Sequence, residues 1–280
     1  MQRTLDCAGR ALDLSRPVVM GILNVTPDSF SDGGRFNEPD AARLQARAMS
    51  AEGAEIIDVG GESTRPGAAG VSVEEEIARV VPIIEAIRGG LDAVISVDTS
   101  KAEVMRAAVA AGAQMINDVR ALREPGALEA AAELGVPVCL MHMQGEPRSM
   151  QHAPHYDDVL AEVRDFLIER AAFCERAGIA RRQIVLDPGF GFGKTLQHNL
   201  WLLRNLSSFT NLDYPLLVGM SRKRMIGDVT GAALDQRLAG SLSLAVQAAQ
   251  SGAHIFRVHD VRATVDALAM STATRDVEPC

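Results

Sequence analysis

Eight short apolar runs recur along the chain, each ending in polar residues. They are Val18–Asn24, Glu55–Gly61, Ala93–Thr99, Gln114–Val119, Val136–His142, Gln183–Phe190, Pro215–Ser221 and Ile255–Asp260. Runs of this length bounded by turn residues read as buried strands. Between them lie stretches with helical spacing. Ala41–Glu52 ends at Gly53, Ala102–Ala111 at Gly112, Gly126–Leu134 at Gly135, and Tyr156–Ala177, the longest, at Gly178. Val73–Ile87 opens with Glu74, Glu75 and Glu76 and is followed by Arg88, as the helix dipole favours. Leu196–Ser207, Leu234–Ser251 and Val261–Met270 complete the set. Thr4–Leu14 alternates weakly and reads as a small hairpin ahead of the main fold.

Eightfold strand–helix alternation predicts one α/β domain over residues 1–280, a single (β/α)8 TIM barrel with a short N-terminal hairpin. An open doubly wound sheet uses the same alternation, but it gathers its site at one switch point. Here Asn24, Thr64, Asp98, Asn117, His142, Asp187, Lys223, Arg257 and His259 all lie at or just past run ends. A closed barrel brings such ends to one mouth, which favours closure. Two connections, Val25–Phe36 and Glu62–Gly70, are rich in Gly, Pro, Ser and Asp, as mobile lids at a barrel mouth are.

Composition narrows the function. With 280 residues, 47% hydrophobic and 23% charged, the chain can bury a sizeable core. A net charge of −8 argues against nucleic acid or an acidic membrane surface as partner. An anionic ligand must therefore be held by a few local cations. Cys7, Cys139, Cys174 and Cys280 are scattered without a CxxC pair, which fits reduced thiols. No apolar stretch has signal or membrane-span length, so the expected location is the cytoplasm.

The chemistry-bearing residues point to a polar ring and an anion. Asp98 and Asp187 each end an apolar run, where an unpaired charge is expensive. With Asn117 they can frame a heterocycle rich in N–H donors. Taken singly, Asp98 could instead cap the helix after Ser100, and Asp187 could pair with a core cation. Arg257 and His259 are two apart, so they share a strand face and suit a phosphate; Arg257 as a structural ion pair is the alternative. Ser221 to Lys223 follow the seventh run, where barrels often hold phosphate. Two motifs carry less than they suggest. In Gly189–Thr195 a phosphate loop would need Gly at position 188, which is Pro188, so Phe190 and Phe192 read as apolar walls. His152 and His155 flank a proline-containing gap poor for joint metal ligation and read as exposed loop residues.

Seven segments in order carry a family resemblance. They are Met20–Gly34, Ile56–Ala68, Ile95–Lys101, Ile116–Val119, Leu186–Lys194, Gly219–Lys223 and Arg257–Val261. They resemble the dihydropteroate synthases, folate-pathway enzymes that sulfonamides inhibit. The resemblance implies a transferase joining 6-hydroxymethyl-7,8-dihydropterin diphosphate to 4-aminobenzoate, with release of diphosphate. It implies that Asp98, Asn117, Asp187 and Lys223 hold the pterin, and that Thr64, Arg257 and His259 meet the diphosphate. Asn24 would help place Mg²⁺. Arg65, Pro66, Phe30, Phe192 and Ser221 would surround the aminobenzoate. Among these, Arg257, His259, Lys223 and Asp98 are the candidate catalytic groups. Arg224 departs from relatives that carry Ser there. A homodimer through late helices is also implied. Pterin-binding methyltransferases share the barrel and form the alternative; a binding module or a Schiff-base aldolase using Lys223 is more remote.

Overall fold

The structure, a computed structural model, describes residues 4–25, 38–63, 70–145, 150 and 153–277. Strands β1 (Thr4–Cys7) and β2 (Arg10–Asp13) form an antiparallel hairpin. Eight parallel strands follow: β3 (Val18–Asn24), β4 (Ile56–Gly60), β5 (Val94–Asp98), β6 (Met115–Asp118), β7 (Val138–Met141), β8 (Ile184–Asp187), β9 (Leu217–Val218) and β10 (Ile255–Val258). Their order in the sheet is β8-β7-β6-β5-β4-β3-β10-β9. A parallel bridge between Leu186 and Leu216 brings β8 against the start of β9, and the Leu186 N–H donates to Pro215 O at 2.9 Å. The sheet is thus all but closed into the expected barrel.

Helices cover the outside: α1 (Glu38–Ala51), α2 (Val73–Ile87), α3 (Ala102–Ala111), α4 (Ala127–Leu134), α5 (Val159–Arg176), α6 (Leu196–Arg204), α7 (Ser207–Thr210), α8 (Arg224–Thr230), α9 (Leu238–Gln250) and α10 (Val261–Arg275). α2 begins at Ser72, whose side chain accepts from the Glu75 N–H, as an N-cap should. α5 begins later than the apolar spacing suggests. Asp158 caps it by accepting from the Leu160 and Ala161 N–H groups, and Tyr156 stays outside the helix, buried, its hydroxyl donating to Gly193 O at 2.8 Å. The expected helix Leu196–Ser207 divides into α6 and α7, and α8 was not expected at all.

Polarity changes along the barrel axis. At one end the inward side chains are apolar: Val18, Met20, Ile56, Val94, Met115, Cys139, Val185, Leu217 and Ile255. The hairpin contributes Leu5, Cys7, Leu12 and Leu14 to the same cluster, so it plugs that end. One register row higher, Ile22, Asp58 and Ser96 stand side by side. At the strand ends Asn24, Gly60, Asp98 and Asn117 are in register. β3 fills its apolar run, while the other strands are shorter than theirs, in part because the polar run ends leave the sheet and become the mouth.

Candidate active site

The deepest part of the mouth is a charge network. Arg257 on β10 donates from Nε to Asp58 Oδ2 and from Nη2 to Asp98 Oδ2, both at 2.7 Å. Asp58 is fully buried, and it also accepts from Asn117 Nδ2 at 3.0 Å. Burial raises Asp98 to about 7 even though Arg257 opposes the shift; Asp58, Asp118 and Glu76 add to it. Burial alone would lower Arg257, but Asp58 and Asp98 outweigh it and hold the guanidinium firmly protonated. The ion pairing that the sequence left as an alternative for Arg257 is therefore present. Its Nε/Nη2 edge is taken, and no described residue accepts from Nη1. Asp98 does not cap the next helix, since α3 is preceded by Lys101 and has no side-chain cap.

Asp187 lies at the end of β8, buried, with Oδ1 accepting the Gly189 N–H at 2.7 Å. Burial raises its pKa, against the pull of Lys223. Lys223 donates to Phe190 O and sits over the Phe192 ring, 4.6 Å from its centroid. Burial lowers this lysine to about 8, with Asp187 acting the other way. Ser221 and His259 meet at the next strand end: the His259 N–H donates to Ser221 Oγ at 3.2 Å, and Nδ1 lies 3.1 Å from the same oxygen. Asn24 ends β3, half-buried, and its Oδ1 reaches toward Gly60 beside Asp98. Arg224 lies away from this group, exposed on α8 and paired with Asp228.

The segment after β8 is held by a buried lysine. Lys194 Nζ lies 2.9 Å from His142 Nδ1 and 3.0 Å from both Gly189 O and Phe192 O. Burial lowers both partners, His142 to about 2, with Lys194 adding to the histidine's shift. Gly189 has φ +70°, and a Cβ there would lie 1.9 Å from His142 O. So the Gly–Phe–Gly–Phe–Gly run has the tight-turn role expected of it, with Phe190 fully buried. His142 itself faces this knot.

Thr64, Arg65, Pro66 and Phe30 lie outside the described residues, as do His152, Cys280 and most of both polar loops. The root of the second loop is visible. Glu62 and Glu76 both receive Lys101 Nζ, and Arg79 donates to Gly61 O at 2.8 Å. Sequence reasoning missed Asp58 and Lys194. The signal for Asp58 was a carboxylate in mid-strand, between Ile57 and Val59, facing inward by the same parity as Ile56. No group of three or more His, Cys, Asp or Glu suited to a metal occurs among the described residues.

A parallel barrel whose mouth gathers buried acceptors, a shielded lysine and an arginine defines an enzyme for a polar ring. The family model described as pterin binding enzyme matches residues 20–259, and the chain belongs to that family. Within it, the chain groups with the dihydropteroate synthases. It is 61% identical over 270 residues to the dihydropteroate synthase of Escherichia coli K12, covering 96% of each. Identity to that of Haemophilus influenzae is 55%, over 95% of this chain and 96% of the relative. Among solved structures, Xanthomonas albilineans dihydropteroate synthase with 4-aminobenzoic acid superposes with a TM-score of 0.94 at 56% identity, over 99% of this chain and all of that one. The same enzyme in complex with 7,8-dihydropteroate gives 0.89 at 53% identity, over 98% of this chain and all of that one. The Yersinia pestis enzyme with a sulfonamide drug gives 0.93 at 55% identity, with the same two coverages.

Proposed function

We propose that this chain condenses 6-hydroxymethyl-7,8-dihydropterin diphosphate with 4-aminobenzoate, giving 7,8-dihydropteroate and diphosphate. The observation that carries the reading is the set of buried acceptors at the strand ends, Asp98, Asn117 and Asp187, in a chain 61% identical to an enzyme of that name. A pterin edge presents N–H donors. A row of oxygens held in place by the barrel accepts them, and rejects rings lacking them because the oxygens would stay unpaired. Lys223 supplies the one donor to the ring's carbonyl, and Phe192 a flat wall beside it.

The reaction breaks the bond between the pterin methylene and the diphosphate oxygen, whose electron pair departs with the diphosphate. The lone pair of the neutral arylamine then forms the C–N bond, and the nitrogen loses one proton to water. The electron-rich dihydropterin spreads the positive charge that grows on the methylene. Arg257 and His259 answer the charge growing on the leaving group. Arg257 does so with Nη1, the part of its fork that Asp58 and Asp98 leave available. By the family resemblance, Thr64 meets the diphosphate and Arg65 and Pro66 the aminobenzoate in this reading.

Asn24 fits a magnesium site of the kind that takes few protein ligands: a neutral hard oxygen at the rim, beside a place for substrate phosphates. When bound there, Mg²⁺ supplies charge neutralisation for the diphosphate. No helix among the described residues is long and apolar enough to cross a membrane. The buried thiols of Cys7, Cys139 and Cys174 agree with a reducing cytoplasm. A homodimer is supported by exposed Val229, Leu234, Leu238 and Met270 on the late elements, and light scattering of the purified protein tests it.

The activity test is diphosphate release by purified protein with Mg²⁺. Release should require both the pterin diphosphate and 4-aminobenzoate. Release with the pterin alone, or none with both, would count against the reading.

A further inference from the structure

Asp58 is a fully buried carboxylate in the middle row of the barrel interior, one register step below the residues of the ring site. Its Oδ2 serves two of them at once, taking Arg257 Nε at 2.7 Å and Asn117 Nδ2 at 3.0 Å. Among the described residues its Oδ1 has no partner, and neither does Ser96 Oγ on the adjoining strand. A buried charge so unevenly satisfied is costly to a fold. An apolar residue, like Ile56 two positions before it, would pack this row at less cost. A carboxylate in this row calls for a task that only a carboxylate can do.

That task follows from what each bond fixes. An asparagine amide can turn by a half-rotation and exchange its donor and acceptor ends. A carboxylate only accepts, so Asp58 holds the Asn117 NH2 inward and leaves Oδ1 for the mouth. The same oxygen takes Arg257 Nε, so the guanidinium lies between Asp58 and Asp98 and cannot swing onto the ring site as a donor. Asp98 spends Oδ2 on that arginine, and Asp187 spends Oδ1 on the Gly189 N–H. With Asp98 ionised beside Arg257, what remains toward the mouth is an acceptor from each of Asn117, Asp98 and Asp187. We propose that Asp58 is a positioning and specificity-determining residue: by fixing the donor end of Asn117 and the inner edge of Arg257, it makes the ring site a row of acceptors and so selects an amino-substituted ring over an oxo-substituted one. This deepens the pterin reading above and rests on it.

Titration calorimetry on the full chain with two diphosphate-free probes tests it, 2-amino-4-oxopteridine and 2,4-dioxopteridine. Wild type should favour the amino ring by ~100-fold or more, since buried acceptors reject a ring that turns an oxygen toward them. In Asp58→Asn the amide at 58 can donate, Asn117 is released to turn, and the preference should narrow by at least ~10-fold. A merely structural role would weaken both rings together and leave the ratio alone; that result, or unchanged binding of both, overturns the proposal. Wild type without any ring preference would overturn the ring-site reading as well, whereas a wild-type preference that persists in Asp58→Asn removes only the role of Asp58. If Asp58→Asn does not fold, wild-type protein labelled with ¹⁵N-asparagine gives the answer. The Asn117 side-chain NH2, assigned by its loss in Asn117→Ser, should be protected from exchange with and without the amino ring. Exchange at the rate of an exposed amide would overturn the proposal.

Discussion

Asp98 and Arg257 lie 159 positions apart in the chain and 2.7 Å apart in the fold. Their pairing shows what could and could not be read from single residues. The strand-end positions of Asp98, Asn117, Asp187 and Lys223 were legible, because a polar residue closing an apolar run has few other reasons to be there. The partners were not: Asp58 hides inside a run, and Arg257 reads first as an anion ligand, its ion pairs appearing only when both carboxylates are seen. Two consequences belong to this scale. Asp187→Asn should weaken a pterin probe by roughly 1.5–3 kcal/mol, the usual worth of a charged hydrogen bond, and spare aminobenzoate affinity; calorimetry with unchanged pterin affinity would refute the assignment. Lys223 adds a pH dependence. Burial lowers it from 10.5 to about 8, so the charged donor is lost as pH rises through 8. Pterin binding should weaken between pH 8 and 10, and the slope should vanish in Lys223→Met. The unfolded chain holds more protons than the folded one in this window, so this lysine's contribution to stability rises with pH there. Weaker binding is then not melting, and a thermal scan at each pH checks the separation.

At the scale of elements, α2 and α3 were legible to the residue because apolar spacing, acidic starts and glycine ends agreed. α8 was missed: Arg224–Thr230 is short, carries Gly227 inside, and buries only Met225 and Ile226, too little to set a period. The split between α6 and α7 escaped for the opposite reason, since buried Leu203, Leu206 and Phe209 carry the apolar spacing through the break. The hairpin was expected, but not its place as a plug. Leu5 is fully buried against the barrel's apolar end, so Leu5→Ala should cost ~2–5 kcal/mol in urea unfolding while turnover at 25 °C holds. A loss of turnover with stability intact would place the hairpin in the site instead. Gly189 makes the reverse case. With φ +70° and no room for a Cβ against His142 O, Gly189→Ala must displace the strand-end turn that carries Phe190 and Phe192. The cost should exceed ~1 kcal/mol, the penalty of the left-handed conformation alone. Pterin affinity should fall with it, because Lys223 leans on both phenylalanines. Unchanged pterin binding would detach this turn from the ring site.

The whole molecule divides its barrel between stability and recognition. Apolar side chains and the hairpin fill one end, and charge enters only from the row of Asp58 upward. A chain of net charge −8 cannot draw in a diphosphate by its overall field. In the proposed reading the anion is caught locally, by Arg257 and His259 and by a metal held with the help of Asn24. The most direct measurement is a crystal structure of this chain with a pterin diphosphate bound. The account predicts the ring's N–H edge within hydrogen-bond distance, about 2.7–3.2 Å, of Asn117 Oδ1, Asp98 and Asp187. The ring should lie beside Phe192 with its carbonyl toward Lys223, and the diphosphate should meet Arg257 and His259. A ring bound elsewhere, or one that turns oxygen atoms toward those three side chains, would contradict it.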